Sequence, residues 1–292
     1  MRFLRTAVFC AGVELLCFPI CFGQTKELVI TVNDPRPLAA AALQIEQLSH
    51  VPINYEDPIL QYSADLEDVT DKVISANEKV KVGPNFHIVG ARGGELTQTV
   101  LVDENMSQPI ETAVNALNGF VAAEQSSLSQ RFVLERGNGV IYVEPSGIRD
   151  QSGTLRDVVP VLAARISFPY LSRNAFQTLQ LILKLTSEAS GFKIAPGTMP
   201  IRPFAASDVT MGAQDEPARS IIVRLLQLVT SGNGIIEPYA APAMSYALFS
   251  DPGRRMYALN VHFISNTIAP GPPRPTAAPT RNSGGFFDKA KP

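Results

Sequence analysis

The sequence holds no tryptophan, three histidines and three cysteines among 292 residues, and only 18% of it is charged. The cysteines (Cys10, Cys17 and Cys21) all fall near the N-terminus. They offer no thiol pattern spread over a fold and no Cys-x-x-Cys pair for zinc. His50, His87 and His262 stand far apart, none with a second histidine at the four-residue spacing of a helical metal site. Lysine and arginine number 25 against 27 acidic residues, so no general positive field exists to hold a nucleic acid. No Gly-x-Ser-x-Gly elbow is present, which removes the simplest serine-hydrolase signal. What is abundant is apolar: 45% of the chain is hydrophobic, enough to exclude bulk disorder. The length suits one or two domains with cores of their own.

The N-terminus has the layout of a secretory signal peptide over residues 1–23. Arg2 and Arg5 give a positive start, Ala7 to Phe22 a mostly apolar run, and Cys21-Phe22-Gly23 puts small residues at −3 and −1 of a cut before Gln24. Glu14 leaves too little uninterrupted length for a membrane-spanning helix, which needs about 20 apolar residues. Cys17 and Cys21 follow Leu16 and Ile20, which poorly fit the small residue that precedes a lipid-modified cysteine. Cleavage removes all three cysteines, and the formal charge moves from −2 to −3 with the loss of Arg2, Arg5 and Glu14. The remaining chain then has no disulfide, no Cys-ligated zinc and no cysteine nucleophile. The expected location is outside the cytoplasm: periplasmic, outer-membrane associated or extracellular.

From Leu28 the hydrophobic pattern predicts an order of elements that later recurs. LVITV (Leu28 to Val32) reads as a strand, and Asp34 with Pro35 as the start of a helix carrying Leu38, Ala41, Ala42, Ile45 and Leu48. Ile53 to Tyr55 is a short strand. After an intervening stretch, Thr97 to Val102 is a strand. Ser107 and Pro109 then open a helix with Ile110, Ala113, Val114, Leu117 and Val121 on one face. Arg131 to Glu135 and Val140 to Val143 form a hairpin around Gly137-Asn138-Gly139, where asparagine and glycine tolerate positive φ. The second pass begins with a strand at Arg165 to Phe168. Ser172 caps a helix through Phe176, Leu179, Ile182, Leu183 and Ala189, stopped by Gly191, and Phe192 to Ile194 is the next strand. Val209 to Met211 is a strand. Asp215 and Pro217 start a helix with Ile221, Ile222, Leu225, Leu226 and Val229 that stops at Gly232. Ser245 to Phe249 and Arg255 to Ile264 close as a hairpin. The expected architecture is α+β, two tandem βαββαβ-like modules with small sheets and two helices each, the second copy more divergent. The expected divisions are a signal at 1–23, a first module at 24–147 with an insertion at 59–96, and a linker at 148–158. A second module follows at 159–264, then a proline-rich disordered tail at 265–292 with six prolines.

The residues Arg36-Pro37-Leu38-Ala39-Ala40-Ala41-Ala42-Leu43, Gln47-Leu48-Ser49 and Val51-Pro52-Ile53-Asn54-Tyr55 resemble the short N-terminal module shared by secretins and TonB-dependent receptors. Thr99 to Val102, Pro109 to Leu117 and Gly139 to Val143 resemble its second half. The match runs from Leu28 to Glu144, with a weaker echo from Ala164 to Ile264. It departs from the family in the insertion, and neither a receptor barrel nor a secretin ring domain follows. The resemblance implies protein–protein docking in the periplasm and carries no catalytic residue across.

Other candidate chemistry reads as structural. His50 sits at a helix end, where a cation suits the dipole. His87 and His262 are expected in strands, facing away from their apolar neighbours. Glu56, Asp57, Asp65, Glu67, Asp68 and Asp71 make the insertion acidic, without the central glycine and terminal glutamate of a calcium loop. Gly90-Ala91-Arg92-Gly93-Gly94 lacks the lysine and following Ser/Thr of a phosphate loop and reads as a turn. Asn105-Met106-Ser107 is a formal glycosylation sequon, and Tyr55, Tyr62 and Tyr170 are candidates for a recognition surface. The sequence therefore names no catalytic residue, cofactor or metal ligand. Its expected function is an exported, non-enzymatic interaction module of the bacterial envelope, an accessory to a secretion or TonB-linked system, with an envelope protein as partner. Two alternatives stand beside it. One is an envelope hydrolase or carbohydrate-binding protein whose acids Asp65, Glu67, Asp68 and Asp71 converge in a concave site. The other is a structural component that oligomerises through its sheets.

Overall fold

In the computed structural model the described residues are 25–71, 74, 87–103, 108–128, 130–231 and 243–264. The first half contains β1 (Thr25–Asp34), α1 (Pro37–Ser49), β2 (Ile53–Glu56), β3 (Leu66–Asp68), β4 (Val89–Ala91) and β5 (Gly94–Asp103). It continues through α2 (Pro109–Leu128), β6 (Arg131–Gly137), β7 (Val140–Arg149) and β8 (Leu155–Asp157). The second half contains β9 (Arg165–Asn174), α3 (Ala175–Ser190), β10 (Lys193–Pro196) and α4 (Ile201–Ala206). β11 (Asp208–Pro217), α5 (Ala218–Ser231), β12 (Met244–Asp251) and β13 (Met256–Phe263) complete it. The fold is mixed α+β.

The halves do not keep separate sheets. One sheet runs in the order β10-β13-β12-β2-β7-β6, with β8 added to the end of β7. The halves meet where β2 and β12 pair in parallel, Tyr55 opposite Ala247 and Glu56 opposite Leu248. This pairing joins what would otherwise be two open edges, the usual liability of a small sheet. β6 and β10 are left as the outer strands, and β10 ends at Pro196.

Each face of the shared sheet carries one core. Leu38, Ala41 and Ile45 of α1 and Leu117 and Phe120 of α2 pack with Ile53, Tyr55, Ile141 and Val143. Leu179 and Ile182 of α3 and Ile222 and Leu225 of α5 pack with Tyr246, Leu248, Tyr257 and Leu259. Strand β7 serves both: Ile141 and Val143 belong to the first core, Val140 and Tyr142 to the second. That double burial is why residues 140–143 read as an unbroken apolar run rather than an alternation. Two antiparallel ribbons complete the layers, β1–β5 and β9–β11. Strand senses correspond between the halves: β2 and β7 are parallel, as are β10 and β13, while β6–β7 and β12–β13 are antiparallel hairpins.

Several boundaries differ from the sequence reading. Asp34 is not the cap of α1; its Oδ1 accepts the Arg36 amide at 2.7 Å, and the helix begins at Pro37. Asn174, not Ser172, caps α3 by accepting the Phe176 amide at 3.0 Å, and Ser172 lies within β9. Asp215 and Pro217 end β11 rather than start α5. The stretch expected as a linker, 148–158, is a hairpin: β8 returns along β7 with Arg149 opposite Leu155. Asp150 Oδ1 closes that turn by accepting the amides of Ser152 and Thr154. The insertion contains the β3–β4 ribbon, and β5 begins inside it at Gly94. The leader expected at 1–23, the sequon at 105–107, Gly232 and the tail expected at 265–292 lie outside the described residues.

Candidate functional site

Helix α1 packs over β2 and β7, so beyond β2 the same face of β12 and β13 lies beside it as a groove of about 730 Å³. Ala39, Ala40 and Leu43 form the helix wall, and Ala247, Asn260 and His262 contribute from the strands. These positions follow from period two: Tyr257, Leu259 and Val261 point into the second core, leaving Asn260 and His262 on the groove side.

At one end lies a buried carboxylate. Glu46, only 1% exposed, accepts the Ile53 amide on Oε2 at 2.8 Å, and its Oε1 is 2.6 Å from His262 Nε2. Ser245 Oγ lies 3.0 Å from the same nitrogen. Serine, histidine and glutamate thus meet, but not as a nucleophilic triad. A triad places the serine on one ring nitrogen and the acid on the other, so that the ring relays a proton. Here both partners share Nε2, and Ser245 is fully buried. The cluster ties α1 to the β12–β13 hairpin.

At the other end, Arg36 pairs with Asp57, donates from Nη2 to the Ser250 carbonyl at 2.7 Å and lies 5.0 Å from the Phe249 ring centre. Asp57 also accepts the Ser250 amide at 3.0 Å. Tyr55 beside it is buried, and burial followed by the charge of Asp57 holds its hydroxyl well above the ordinary tyrosine range.

Three further carboxylates lie at or near the joint. Glu56 accepts the amides of Val161 and Leu162, and burial pushes it up to about 8. Glu144 is raised by burial, an effect opposed by Arg219, which also reaches Glu135 at 2.8 Å and lies over the Tyr142 ring. Among the described residues Glu124 on α2 has no partner for Oε2, and burial followed by the charge of Asp57 raises it to about 7. Together these groups can lock two half-structures into one body, with the groove as a fixed surface.

The residues singled out by sequence separate. His262 belongs to the groove. His50 is the left-handed C-cap of α1, with φ 55°. His87 precedes β4 rather than lying in a strand, and its Nδ1 is 2.6 Å from Asp68. Asp68 falls to about 2 through hydrogen bonds from Thr70 and then His87. Asp65 is buried against Arg149, whose guanidinium lies over Tyr62. Among the described residues, no three histidine, cysteine or acidic side chains lie together in a way that could hold a metal ion. Tyr55 is buried, whereas Tyr170 is 73% exposed. Gly90 lies in β4 and Gly94 opens β5; a Cβ at Gly93 would sit 1.9 Å from the Asp34 carbonyl, so the turn is pressed against the end of β1. Sequence reasoning passed over Glu46, Arg36 and Ser245. The one available signal was Glu46 adjoining Ile45 within an otherwise apolar helix stripe. Among the described residues no helix is long and apolar enough to cross a membrane. Compared with known proteins, the chain matches no family model, no curated protein and no solved structure.

Proposed function

We propose that the chain is an exported, non-enzymatic docking protein of the bacterial envelope, an accessory to a secretion or TonB-linked system, that takes a partner protein by strand addition. The observation carrying this reading is the β1–β5 ribbon. Ten residue pairs run from Thr25 opposite Asp103 to Asp34 opposite Gly94, and among the described residues neither strand has a second neighbour. Ile30, Val32, Leu96 and Val100 face the first core, while Val29 and Leu101 stand outward at 62% and 60% exposure. Thr31 and Thr97 hydrogen-bond on that outer face at 2.9 Å. A long open edge with a β-branched outer face is ordinarily blunted by charge or proline. Left open, it offers backbone donors and acceptors to an added strand and side-chain contacts for specificity.

The same reading takes the chain as two tandem βαββαβ-like modules. Corresponding strand senses support it, and so do matched helix ends. Ser49 and Ser190 each accept the amide two residues on at 3.3 Å. His50 and Gly191 are left-handed caps. Glu46 and Ser187 each accept the amide seven residues on, from Ile53 and Ile194. Export rests on Arg2, Arg5 and the apolar run before Gln24.

A photoreactive residue at Thr99, in cells that carry the protein, tests the proposal. A discrete adduct is expected in the envelope fraction, and Val29→Lys with Leu101→Glu should abolish it without changing the melting temperature. Absence of any adduct, or an adduct indifferent to the two changes, rejects strand addition at this ribbon.

A further inference from the structure

The groove beside α1 has its own candidate occupant in the chain. We propose that residues 265–292, the proline-rich tail, dock in the groove between α1 and the β12–β13 hairpin. Position comes first. β13 runs along the groove, and its last residues, His262 and Phe263, line it. The Ile264 amide donates to the Ala243 carbonyl at 2.7 Å, which fixes where the chain leaves the sheet. Ile264, the last described residue, therefore stands at the end of the groove that holds Glu46.

Length comes second. The eight residues of β13 span roughly 26 Å at 3.3 Å per residue. A polyproline-type chain advances about 3.1 Å per residue, so about nine residues cover that distance. The segment Pro270-Gly271-Pro272-Pro273-Arg274-Pro275 begins six residues beyond Ile264 and so reaches the far end, where Phe249 and Arg36 stand.

Chemistry comes third. The groove is walled by side chains rather than by an open strand edge, so it suits a chain whose prolines have no amide to donate. Extended proline segments settle on aromatic and small apolar surfaces, here Phe249 with Ala39 and Ala40. Charge agrees: the tail carries Arg274, Arg281, Lys289 and Lys291 against Asp288, while the chain as a whole is negative. At the far end Asp57 neutralises Arg36, leaving the exposed carboxylate of Asp34 to meet a tail cation. The tether keeps the local concentration of the tail high, so a weak site is filled. This surface is separate from the β1–β5 ribbon, and either proposal stands without the other.

The test uses the chain from Gln24 onward, free of Cys10, Cys17 and Cys21, with a nitroxide on Thr276→Cys. Methyl signals of Ala39 and Ala40 are expected to fall at least twofold and to recover on nitroxide reduction, while Ala175 in the second core is unaffected. Leu43→Arg, on the groove wall at a side chain 41% exposed, should restore both signals at unchanged melting temperature. Unattenuated Ala39 and Ala40 in the wild-type groove overturn the proposal. So does attenuation seen only when spin-labelled and methyl-labelled chains are mixed, which assigns the groove to the tail of a second copy.

Discussion

Helices α1 and α3 end alike and differ at one informative position. Both stop on a left-handed residue, His50 or Gly191, and both use a serine to hold the amide two residues on. Where α3 has Ser187, whose hydroxyl accepts the Ile194 amide, α1 has Glu46. One carboxylate oxygen does the same local work on Ile53, and the other reaches His262 in the opposite half. A task confined to its own half in α3 is extended across the joint in α1. The cores differ in the same direction. α3 presents Ile182 and Leu183 where α1 presents Ala41 and Ala42. The second half is built around larger side chains, whereas the first places more of its polar chemistry at the joint.

The largest effect expected from testing this contrast is at Arg219. Arg219→Ala leaves Glu144 buried without its partner and should cost about 3–5 kcal/mol in urea denaturation followed by circular dichroism. A loss below about 1 kcal/mol breaks the view that the joint is held by its ion pairs. Next is Glu124, whose carboxyl is raised from near 4.5 to about 7. The folded state then binds more protons than the unfolded state between those values, so this group's stabilisation is complete below about pH 4.5. It is lost as pH rises through 7. Glu124→Gln should flatten that decline and, at pH 8, raise stability on the order of 2 kcal/mol. An unchanged pH profile in thermal melts refutes it. The smallest effect sharpens the comparison itself. Ser187→Ala removes one hydrogen bond and should cost about 1 kcal/mol, whereas Glu46→Ala also removes the contact with His262 and should cost about 2–3 kcal/mol. Equal losses in parallel melts show that the reach of Glu46 across the joint contributes nothing.

Local signals made most elements legible. The stripe Leu38, Ala41, Ala42 and Ile45 is the buried face of α1. Gly137-Asn138-Gly139 gives a two-residue turn, with Asn138 at φ 56° and Gly139 at 76°. Caps were ambiguous where two polar residues compete. Asn174 prevails over Ser172 because its amide also donates to the carbonyls of Ala205 and Ser207, a contact no local window contains. The six-residue α4 includes Pro203 and is too short to show a period. The shared sheet was illegible for the same physical reason: β2 meets β12 across most of the chain length, and nothing in Ile53-Asn54-Tyr55-Glu56 marks which strand it will meet. The groove was hidden with it, since its helix wall and its strands come from opposite halves.

The proline that ends β10 has a consequence for how many units can be joined. The joint is head-to-tail: β2 of one half takes the hairpin strand of the other, leaving at the two outer edges one strand of each kind. Contacts of that type, repeated between copies, close into a ring where the rotation allows and otherwise grow as an open filament. At the inner joint the Asp57 amide donates to Leu248, and the two-residue alternation turns the amide of Tyr55 toward β12 as well. Pro196 lies opposite Leu259 on β13, as Tyr55 lies opposite Val143 on β7. With no N–H to offer there, the outer strand is blunted as a place for a further strand to add.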